Sequence, residues 1–497
     1  MTKSRGTFSE SPSYKWWVLA VVQFSFMLIG VDSTIVNLAL PTIARDLGAD
    51  IAVAQWTIAA FFTTTAVALP MAGRLADVMG LKKVFLMGFV IFTASSVGCG
   101  LAPSLEVLIG MRVVQAVGAA ALLANSNVIS LGVFPPNQHA LAMGVNGSIF
   151  SLGFALGYTL GGFFIQWFGW RSIFLVNLPI GLLAIGLGAL VLVESKIRRV
   201  SPPKVPFDWA GAVLSVVALT LVMVSLDGLT RGPQVSGGLL IILLAGLVGV
   251  GTFFLVEMKN KHPLLDVQLF RNPPFSIGLV TRLMSNAVFT ATAFAIPFYT
   301  QNVLNFTPIE SGLMMLPFAV TFAVAGPLSG RAADRIGSRA LTTAGFVSTG
   351  AALIVLGALT AEPGHERNLV IQVAIGMALL GLGSGLFISP NSSVTLDAVP
   401  ADKTGAASGL LYFTAFLGSA TGTAYAASVL SAGLRDHGGL TALHSQGTRE
   451  IGVASFLHAQ GFVFHSLIAV TVLAIILCLS RGSHSKNGGS ASTSPFH

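Results

Sequence analysis

Residues 16–40 read WWVLAVVQFSFMLIGVDSTIVNLAL, a long apolar stretch that contains one acidic residue, Asp32. A helix of about 20 apolar residues is long enough to cross the hydrocarbon core of a bilayer. A carboxylate in hydrocarbon is costly, so Asp32 must have a partner, face water, or spend part of its time protonated. The stretch therefore predicts a membrane-spanning helix that carries a functional acid.

The composition of the whole chain agrees with a membrane protein. Of 497 residues, 54% are hydrophobic and only 9% are charged, and the mean hydropathy is +0.81. A soluble domain has no means of covering that much apolar surface. The net charge of +8 is spread over short segments, which does not favour a nucleic-acid partner. Cys99 and Cys478 lie far apart in apolar runs, so we expect no disulfide, metal site or cofactor.

Scanning for apolar runs of spanning length predicts fourteen transmembrane helices, an all-α polytopic fold. If both termini are cytoplasmic, 19 of the 27 Lys and Arg residues fall in inside segments and 6 in outside segments. This excess follows the positive-inside rule, so we expect both termini to be cytoplasmic. The predicted spans are residues 16–40, 52–73, 83–102, 107–131, 141–166, 172–193, 209–229, 236–256, 275–299, 309–330, 340–360, 369–394, 405–431 and 459–480.

An internal repeat divides the chain into two halves. GRLADVMG begins at Gly73 after the second span, and GRAADRIG begins 257 residues later, at Gly330 after the tenth. Parallel repeats of this kind are typical of transporters with a substrate site between the halves. Six spans per half leave two extra central spans. The predicted regions are an N-terminal tail (1–15), a six-helix bundle (16–193), a linker with two spans (194–273), a second six-helix bundle (274–480) and a disordered tail (481–497).

The repeated motif predicts a gating loop in each half. Glycine allows two helix ends to approach closely, and an aspartate there accepts hydrogen bonds from a helix N-terminus or pairs with arginine. Such a loop can join two helices in one state and release them in another. The residues concerned are Gly73, Arg74, Asp77, Gly80, Gly330, Asp334 and Gly337.

Asp32 and Arg112 are the leading candidates for proton coupling. Every other acidic residue falls in a loop, in a tail or near the end of a span, whereas Arg112 lies early in the fourth span with Gln115 one turn later. A nearby cation controls the protonation of an acid, which is what a proton-coupled site requires. A permanently paired structural aspartate is the alternative reading.

Two further features bear on packing and on substrate. Gly153, Gly157 and Gly161 stand four residues apart in the fifth span, a pattern that lets another helix pack closely. Aromatic residues in spans nine to thirteen suit a cavity for large amphipathic molecules; they are Phe275, Phe289, Phe294, Phe298, Phe387, Tyr412, Phe413 and Phe416. The expected cavity residues are Asn37, Gln115, Asn286, Phe294, Tyr412 and Phe416.

Together these residues resemble the major facilitator superfamily, and more narrowly its fourteen-span family of drug and proton antiporters. The resemblance is carried by DSTIVNLALP, GRLADVMG, the Arg112 segment, the fifth-span glycines, WRSIFLVNLPIG at 170–181, FDWAG at 207–211 and HPLLDVQLF at 262–270. It covers nearly the whole chain and implies two six-helix bundles with two additional central helices.

The resemblance also implies roles for particular residues. Asp32 matches a first-span acid associated with proton or cation coupling, and Arg112 matches an arginine linked to proton transfer. The antiporter motif of the fifth span corresponds to Gly144, Gly153, Gly157, Gly161 and Gly162. This chain departs from the motif at Tyr158, where the family has proline.

The sequence therefore predicts a proton-coupled exporter of hydrophobic or cationic drugs and antibiotics, working by alternating access in a bacterial inner membrane. An exporter or flippase for lipids or an endogenous metabolite is the alternative with the same fold. An enzyme is not expected, because no nucleophile elbow, metal-ligand cluster or phosphate loop is present in the sequence. The expected partners are protons, lipid and small organic substrates, and a monomer suffices.

Overall fold

The computed structural model describes residues 13–135, 138–197, 237–259, 267–360, 366–400, 403–435 and 449–481, with residue 11 and a few positions between 211 and 225. These residues are almost entirely helical. In chain order the helices are α1 (Tyr14–Asp46), α2 (Ile51–Ala54), α3 (Trp56–Met79), α4 (Leu81–Gly100), α5 (Leu105–Val133), α6 (His139–Phe168), α7 (Ser172–Leu175), α8 (Asn177–Val191), α9 (Glu194–Ile197), α10 (Gly237–Lys259), α11 (Pro273–Phe298), α12 (Pro308–Met314), α13 (Leu316–Ile336), α14 (Ser338–Gly357), α15 (Glu366–Asp397), α16 (Thr404–Arg435) and α17 (Arg449–Ser480).

Long helices lie at thirteen of the fourteen predicted spans. Within the described ranges, twelve helices are long and apolar enough to cross a membrane. The 32-residue α16 is a further long helix that packs between α11 and α3. Most of the predicted seventh span (209–229), most of the linker around it, and the tails before residue 11 and after residue 481 lie outside the described residues.

The helices alternate in direction, which gives the bundle two ends. At the Tyr14 end, the amide N–H of Val193 donates to the Tyr14 hydroxyl at 3.1 Å. At the Asp46 end, the Asp46 carboxylate accepts from the Trp170 indole N–H at 2.8 Å and from Arg171 at 3.2 Å. These contacts join the first helix of the amino-terminal half to later helices of the same half.

The repeat extends over three consecutive helices. Residues 51–79 are helical with a break at Gln55, and residues 308–336 are helical with a break at Met315. Helix α4 and helix α14 are likewise 257 residues apart at both ends. A Gly with positive φ separates the second and third helices of each set, because an L side chain rarely adopts that conformation: φ is +99° at Gly80 and +91° at Gly337.

The predicted gating loops are shorter than expected. The motif from Gly73 to Met79 continues α3, and the corresponding residues up to Ile336 continue α13. Only Gly80 and Gly337 lie outside the helices. The apolar helix pattern therefore runs through most of the motif, and Asp77 and Asp334 occupy helical positions.

The two halves meet closely at the Asp46 end. The Gln301 side-chain N–H donates to the Leu38 carbonyl oxygen at 2.9 Å, and the Ser431 hydroxyl donates to Asp50 at 2.5 Å. Helix α6 packs against α12 and α13, and α3 packs against α16. The amino-terminal half thus touches the other half through α1, α3 and α6.

The predicted disordered tail does not begin at Arg481. This residue is buried, and its guanidinium donates to Asn391 Oδ1 at 2.7 Å, to the Pro274 carbonyl at 2.9 Å and to Thr395 at 3.1 Å. It therefore anchors the end of α17 to α11 and α15, because a buried guanidinium needs acceptors.

Candidate functional site

Asp32 and Arg112 form a buried ion pair between α1 and α5. Arg112 Nη1 lies 2.6 Å from Asp32 Oδ2, and both side chains are almost completely inaccessible to solvent. Arginine binds carboxylate strongly because its N–H groups carry part of a delocalised positive charge. The structure thus brings together the two residues that the sequence singled out for proton coupling.

A third helix orients the guanidinium. Arg112 Nε donates to the Thr57 carbonyl oxygen of α3 at 2.9 Å. The ring of Phe61, one turn later, lies with its centroid 4.0 Å from the guanidinium carbon. A cation over an aromatic face is stabilised by the ring quadrupole, more so where water is excluded. Movement of α3 would therefore move Arg112 relative to Asp32.

Gln115 hydrogen-bonds to both members of the pair. Its side-chain N–H group donates to Asp32 Oδ1 at 3.1 Å and to the Ser96 hydroxyl at 2.9 Å, while its oxygen accepts from Arg112 at 2.6 Å. Asn177 of α8 donates to the same Ser96 hydroxyl at 2.9 Å. Gln115 is fully buried in this conformation, and its predicted place in a substrate cavity stays a prediction.

The fifth-span glycines place α6 directly against the helix that carries Asp32. A Cβ at Gly153 would lie 3.1 Å from the Gly30 Cα, and one at Gly157 would lie 2.7 Å from the Val31 carbonyl oxygen. The Thr34 hydroxyl reaches across to the Phe154 carbonyl at 3.2 Å. Small residues at this spacing allow close backbone approach, as the pattern predicted.

The last residues of the glycine motif contact the other half of the protein. A Cβ at Gly162 would lie 2.6 Å from the Pro308 carbonyl oxygen, and one at Gly312 would lie 2.5 Å from the Tyr158 carbonyl oxygen. Tyr158 is buried, and no described residue hydrogen-bonds its hydroxyl. Gly161 packs on Ile35, whereas a Cβ at Gly144 would meet open space.

Glu194 caps the helix that follows the first gating motif. Its carboxylate accepts from the backbone N–H groups of Leu81 and Lys82, both at 2.8 Å. Free N–H groups at a helix N-terminus attract an anion. Glu194 follows the sixth predicted span. It is far from Leu81 along the chain, so the sequence alone did not predict this contact.

The motif of the second half lacks this cap in the part of the chain that the structure describes. Gly330 lies in α13, with the Ser389 hydroxyl 3.0 Å from where a Cβ would stand. No described carboxylate hydrogen-bonds the first N–H groups of α14, which begins at Ser338. The two gating motifs thus share a backbone turn, and only the first has a carboxylate cap among the described residues.

The predicted cavity residues separate into two groups. Phe294 is fully buried against Phe298 at a ring distance of 5.0 Å and belongs to the core. Asn37 is also buried; its N–H group donates to the Ser33 carbonyl at 3.0 Å, and its oxygen has no partner among described residues. In this conformation the Phe294 ring is packed in the core, and its predicted place in a substrate cavity stays a prediction.

Two of the other predicted residues, Phe416 and Tyr412, lie where the halves face each other. The Phe416 ring is 5.8 Å from the Phe62 ring across the interface. The Asn127 side-chain N–H donates to the Tyr412 hydroxyl at 3.3 Å, again from one half to the other. Asn286 is half-buried on α11. Phe416 and Tyr412 thus contact the amino-terminal half, and the cavity itself stays a prediction.

Sequence comparison identifies the family to which this chain belongs. Residues 22–423 match the family described as Major Facilitator Superfamily. The chain belongs to the major facilitator superfamily. It is therefore a multi-pass membrane transporter rather than an enzyme, with a helical fold of two repeated halves.

Relatives in this superfamily include resistance proteins. The chain is 34% identical over 420 residues to the multidrug resistance protein Stp of Mycobacterium tuberculosis, covering 84% of this chain and 76% of Stp. It is 33% identical over 424 residues to the methylenomycin A resistance protein of Streptomyces coelicolor, covering 83% and 85% of the two chains. These similarities place the chain among relatives of multidrug and antibiotic exporters.

A solved structure supports the same fold. A bacterial homolog of the human lysosomal transporter Spinster, in an inward-facing and unoccupied conformation, matches with a TM-score of 0.63. The match covers 94% of this chain and 97% of that chain at 16% sequence identity. At this identity the likeness concerns the fold alone.

Proposed function

We propose that this protein exports hydrophobic or cationic drugs and antibiotics from a bacterial cell in exchange for protons. The observation that carries the proposal is the buried pair of Asp32 and Arg112, 2.6 Å apart on two different helices. An ionisable pair inside a membrane domain is expensive to maintain, and such residues usually mark an ion or proton pathway. The resistance proteins among its relatives support export as the direction of transport.

The proposed topology has fourteen spans with both termini in the cytoplasm. The thirteen long helices described, from α1 to α17, account for all but one, and the apolar segment 209–229 supplies the last. The excess of Lys and Arg on the Tyr14 end supports a cytoplasmic location for that end. A monomer in the inner membrane is sufficient for this arrangement.

Asp32 would exchange its proton through a change of partner. While Arg112 and Gln115 donate to it, the carboxylate is stabilised as an anion. If Arg112 withdraws, an isolated charge in apolar surroundings is unfavourable, and proton uptake removes it. One proton can therefore enter or leave each time the pair opens and closes.

The packing couples this pair to contact between the halves. Arg112 is held by the Thr57 carbonyl of α3, and α3 packs on α16 of the other half. Asp32 belongs to α1, which packs on α6, and α6 reaches Pro308 through Gly162. Rearranging the halves would thus displace acid and base separately, which is how alternating access would drive proton exchange.

The conformation described is closed at the Asp46 end. Gln301 and Leu38, and also Ser431 and Asp50, are hydrogen-bonded across the halves there. In the proposed topology this is the outer end, so the protein is closed to the outside. The gating motifs at Gly73 and Gly330 lie toward the opposite, inner end and would separate or meet as that end opens and closes.

The experiment is proton movement across proteoliposomes that contain a pH-sensitive dye. A panel of lipophilic cations and neutral antibiotics is added to the purified protein, and the release of protons is recorded. We expect a substrate-dependent proton signal with the intact protein and none with Asp32→Asn, because asparagine does not titrate.

Asp46→Asn is the matched control. Asp46 lies on the same helix and also contacts an arginine, but both partners are exposed at the end of the bundle. We expect this variant to retain the proton signal. Transport of a compound by the intact protein without any coupled proton signal would overturn proton antiport, and an unchanged signal in Asp32→Asn would remove Asp32 from the proton path.

A further inference from the structure

Arg282 is a second arginine within a predicted span, and its surroundings differ from those of Arg112. It lies in the first half of α11, and its side chain is half-buried. Its Nε and Nη1 atoms are inaccessible to solvent and have no hydrogen-bond partner among the described residues. A buried guanidinium without acceptors is costly, so its retention calls for an explanation.

Arg282 adjoins a group of uncharged polar residues, because α11 packs against α16. Tyr412 of α16 is close enough to interact with it electrostatically. The Tyr412 hydroxyl accepts from Asn127, and Asn127 Oδ1 accepts from Asn146 at 3.0 Å. Gln23 donates to Asn146 at 2.8 Å. These five residues, the Arg282 cluster, run from one half of the protein to the other.

The cluster contains one formal positive charge and no carboxylate. Open hydrogen-bonding capacity exists on both sides of it: two guanidinium N–H groups on Arg282, and the side-chain oxygen of Gln23, which is buried and has no partner among the described residues. Four of its five members are only partly buried, namely Arg282, Gln23, Asn127 and Tyr412. The cluster is therefore an incomplete polar network. On the Arg282 side the group it lacks is an acceptor, and an acceptor with negative charge would also balance the guanidinium.

Aromatic surface adjoins the cluster on the same face of α11. Asn286 and Phe289 follow Arg282 by four and seven residues, the spacing of neighbours on one helical face. Phe289 is half-buried, stacks on Phe318 at 4.7 Å, and reaches Phe154 of the other half at 6.0 Å. A ligand with an aromatic body and an anionic group would meet both features about 10 Å apart along the helix.

We infer that Arg282, with Tyr412 and Asn127, binds the anionic oxygen group of an aromatic organic substrate, such as a carboxylate or phenolate. Guanidinium forms two parallel hydrogen bonds to such groups, and its unpaired N–H groups would be satisfied only when the substrate is present. The inference rests on the proposed function, because it names a substrate class for the exporter. It adds organic anions to the neutral and cationic compounds expected above.

The test uses two xanthene dyes of similar shape and opposite charge, fluorescein and rhodamine 123. Binding of each dye to the full-length protein in phosphatidylcholine nanodiscs is measured by fluorescence polarisation. We expect saturable fluorescein binding that weakens by about tenfold or more in Arg282→Gln, the loss typical of hydrogen bonds to a charged group. Rhodamine 123 binding should change by less than twofold.

Two variants control for charge and folding. Arg271→Gln removes an equal charge from an exposed position just before α11 and should leave fluorescein binding unchanged. Arg282→Lys retains the charge without the planar fork and should bind fluorescein with intermediate affinity. If Arg282→Gln fails to fold, competition on the intact protein replaces it: benzoate should displace fluorescein, and benzyltrimethylammonium should not.

The outcomes separate this inference from the proposed function. Absence of saturable fluorescein binding, equal weakening of both dyes in Arg282→Gln, or equal displacement by the two competitors would overturn the anion site. Displacement of fluorescein when phosphatidylglycerol replaces half of the phosphatidylcholine would assign the site to a lipid headgroup and overturn the solute assignment. Failure of proton antiport in the proteoliposomes, with fluorescein binding intact, would leave the site standing without the proposed energy source.

Discussion

The two halves share a backbone repeat but treat an arginine inside the bundle in opposite ways. In the amino-terminal half, Arg112 is paired with Asp32 at 2.6 Å and held by Thr57 and Gln115. In the carboxy-terminal half, Arg282 has two buried guanidinium nitrogens without a partner among the described residues. One charge is paired with a described carboxylate, and the other is paired with none of the carboxylates that the structure describes.

The internal repeat aligns Asp32 with a residue that is not acidic. The position 257 residues after Asp32 is Phe289, whose ring stacks on Phe318 instead of accepting a hydrogen bond. Equivalent positions of the two halves thus carry an acid on α1 and an aromatic ring on α11. In the mechanism proposed above, the first half would carry the proton and the second half would supply the main contacts to substrate.

The largest expected effect comes from breaking the balanced pair. Arg112→Leu leaves Asp32 buried without its cation, which should lower the free energy of unfolding by about 3–5 kcal/mol. The double variant Asp32→Asn with Arg112→Leu should regain most of that loss, because no charge is left uncompensated. Denaturant unfolding of the purified protein in detergent measures both.

Arg171→Leu is the exposed counterpart of that change. Its partner Asp46 is half exposed, so the loss should be about 0–1 kcal/mol. For the buried pair, equal losses of unfolding free energy in Arg112→Leu and in the double variant would contradict the prediction. They would mean that packing, and not charge balance, stabilises the amino-terminal half.

Removing the unbalanced charge should have the opposite sign. Arg282→Gln eliminates buried donors that lack acceptors, so the free energy of unfolding in ligand-free detergent should rise by about 1–3 kcal/mol. The same unfolding titration tests this, with Arg271→Gln expected within about 0.5 kcal/mol of the unaltered protein. A clear destabilisation by Arg282→Gln would show that the Arg282 guanidinium has hydrogen-bond acceptors within the protein. The two halves would then not differ in this respect.

The smallest effect concerns the two gating turns. Glu194→Ala removes the acceptor for the first N–H groups of α4 and should cost about 1 kcal/mol, the usual value for a lost helix cap. Ser338→Ala at the corresponding start of α14 should change stability by less than about 0.5 kcal/mol. Comparable losses at both sites would indicate that the second turn has an equivalent cap.

Much of the fold followed from local sequence patterns. Helices lie at all thirteen predicted spans that the structure describes, since length and apolarity are local properties of a chain. The repeated glycines located both turns, with only the length of the helices before Gly80 and Gly337 underestimated. Asp32 and Arg112 were identified as a pair because so few charges lie deep in the spans.

Sequence reasoning was weakest for the surroundings of individual side chains. Gln115 and Phe294 were expected to line a cavity, and both are fully buried in this conformation. Glu194 was missed because the N–H groups it caps are more than 100 residues away in the chain. The neighbours of a side chain depend on how its helix is rotated about its own axis. The polarity or aromaticity of a residue does not predict that rotation.

The sequence by itself determined that this protein spans a membrane as two repeated halves with one acid deep in its first helix. Each span must be apolar over a length set by the bilayer, so spans can be recognised from local sequence. A charged residue within a span is rare and is recognised in the same way. Only the tertiary structure decided that Asp32 neutralises Arg112 and leaves Arg282 without a carboxylate partner among the described residues. Both arginines lie within predicted spans, and helix packing alone determines which of them meets the acid.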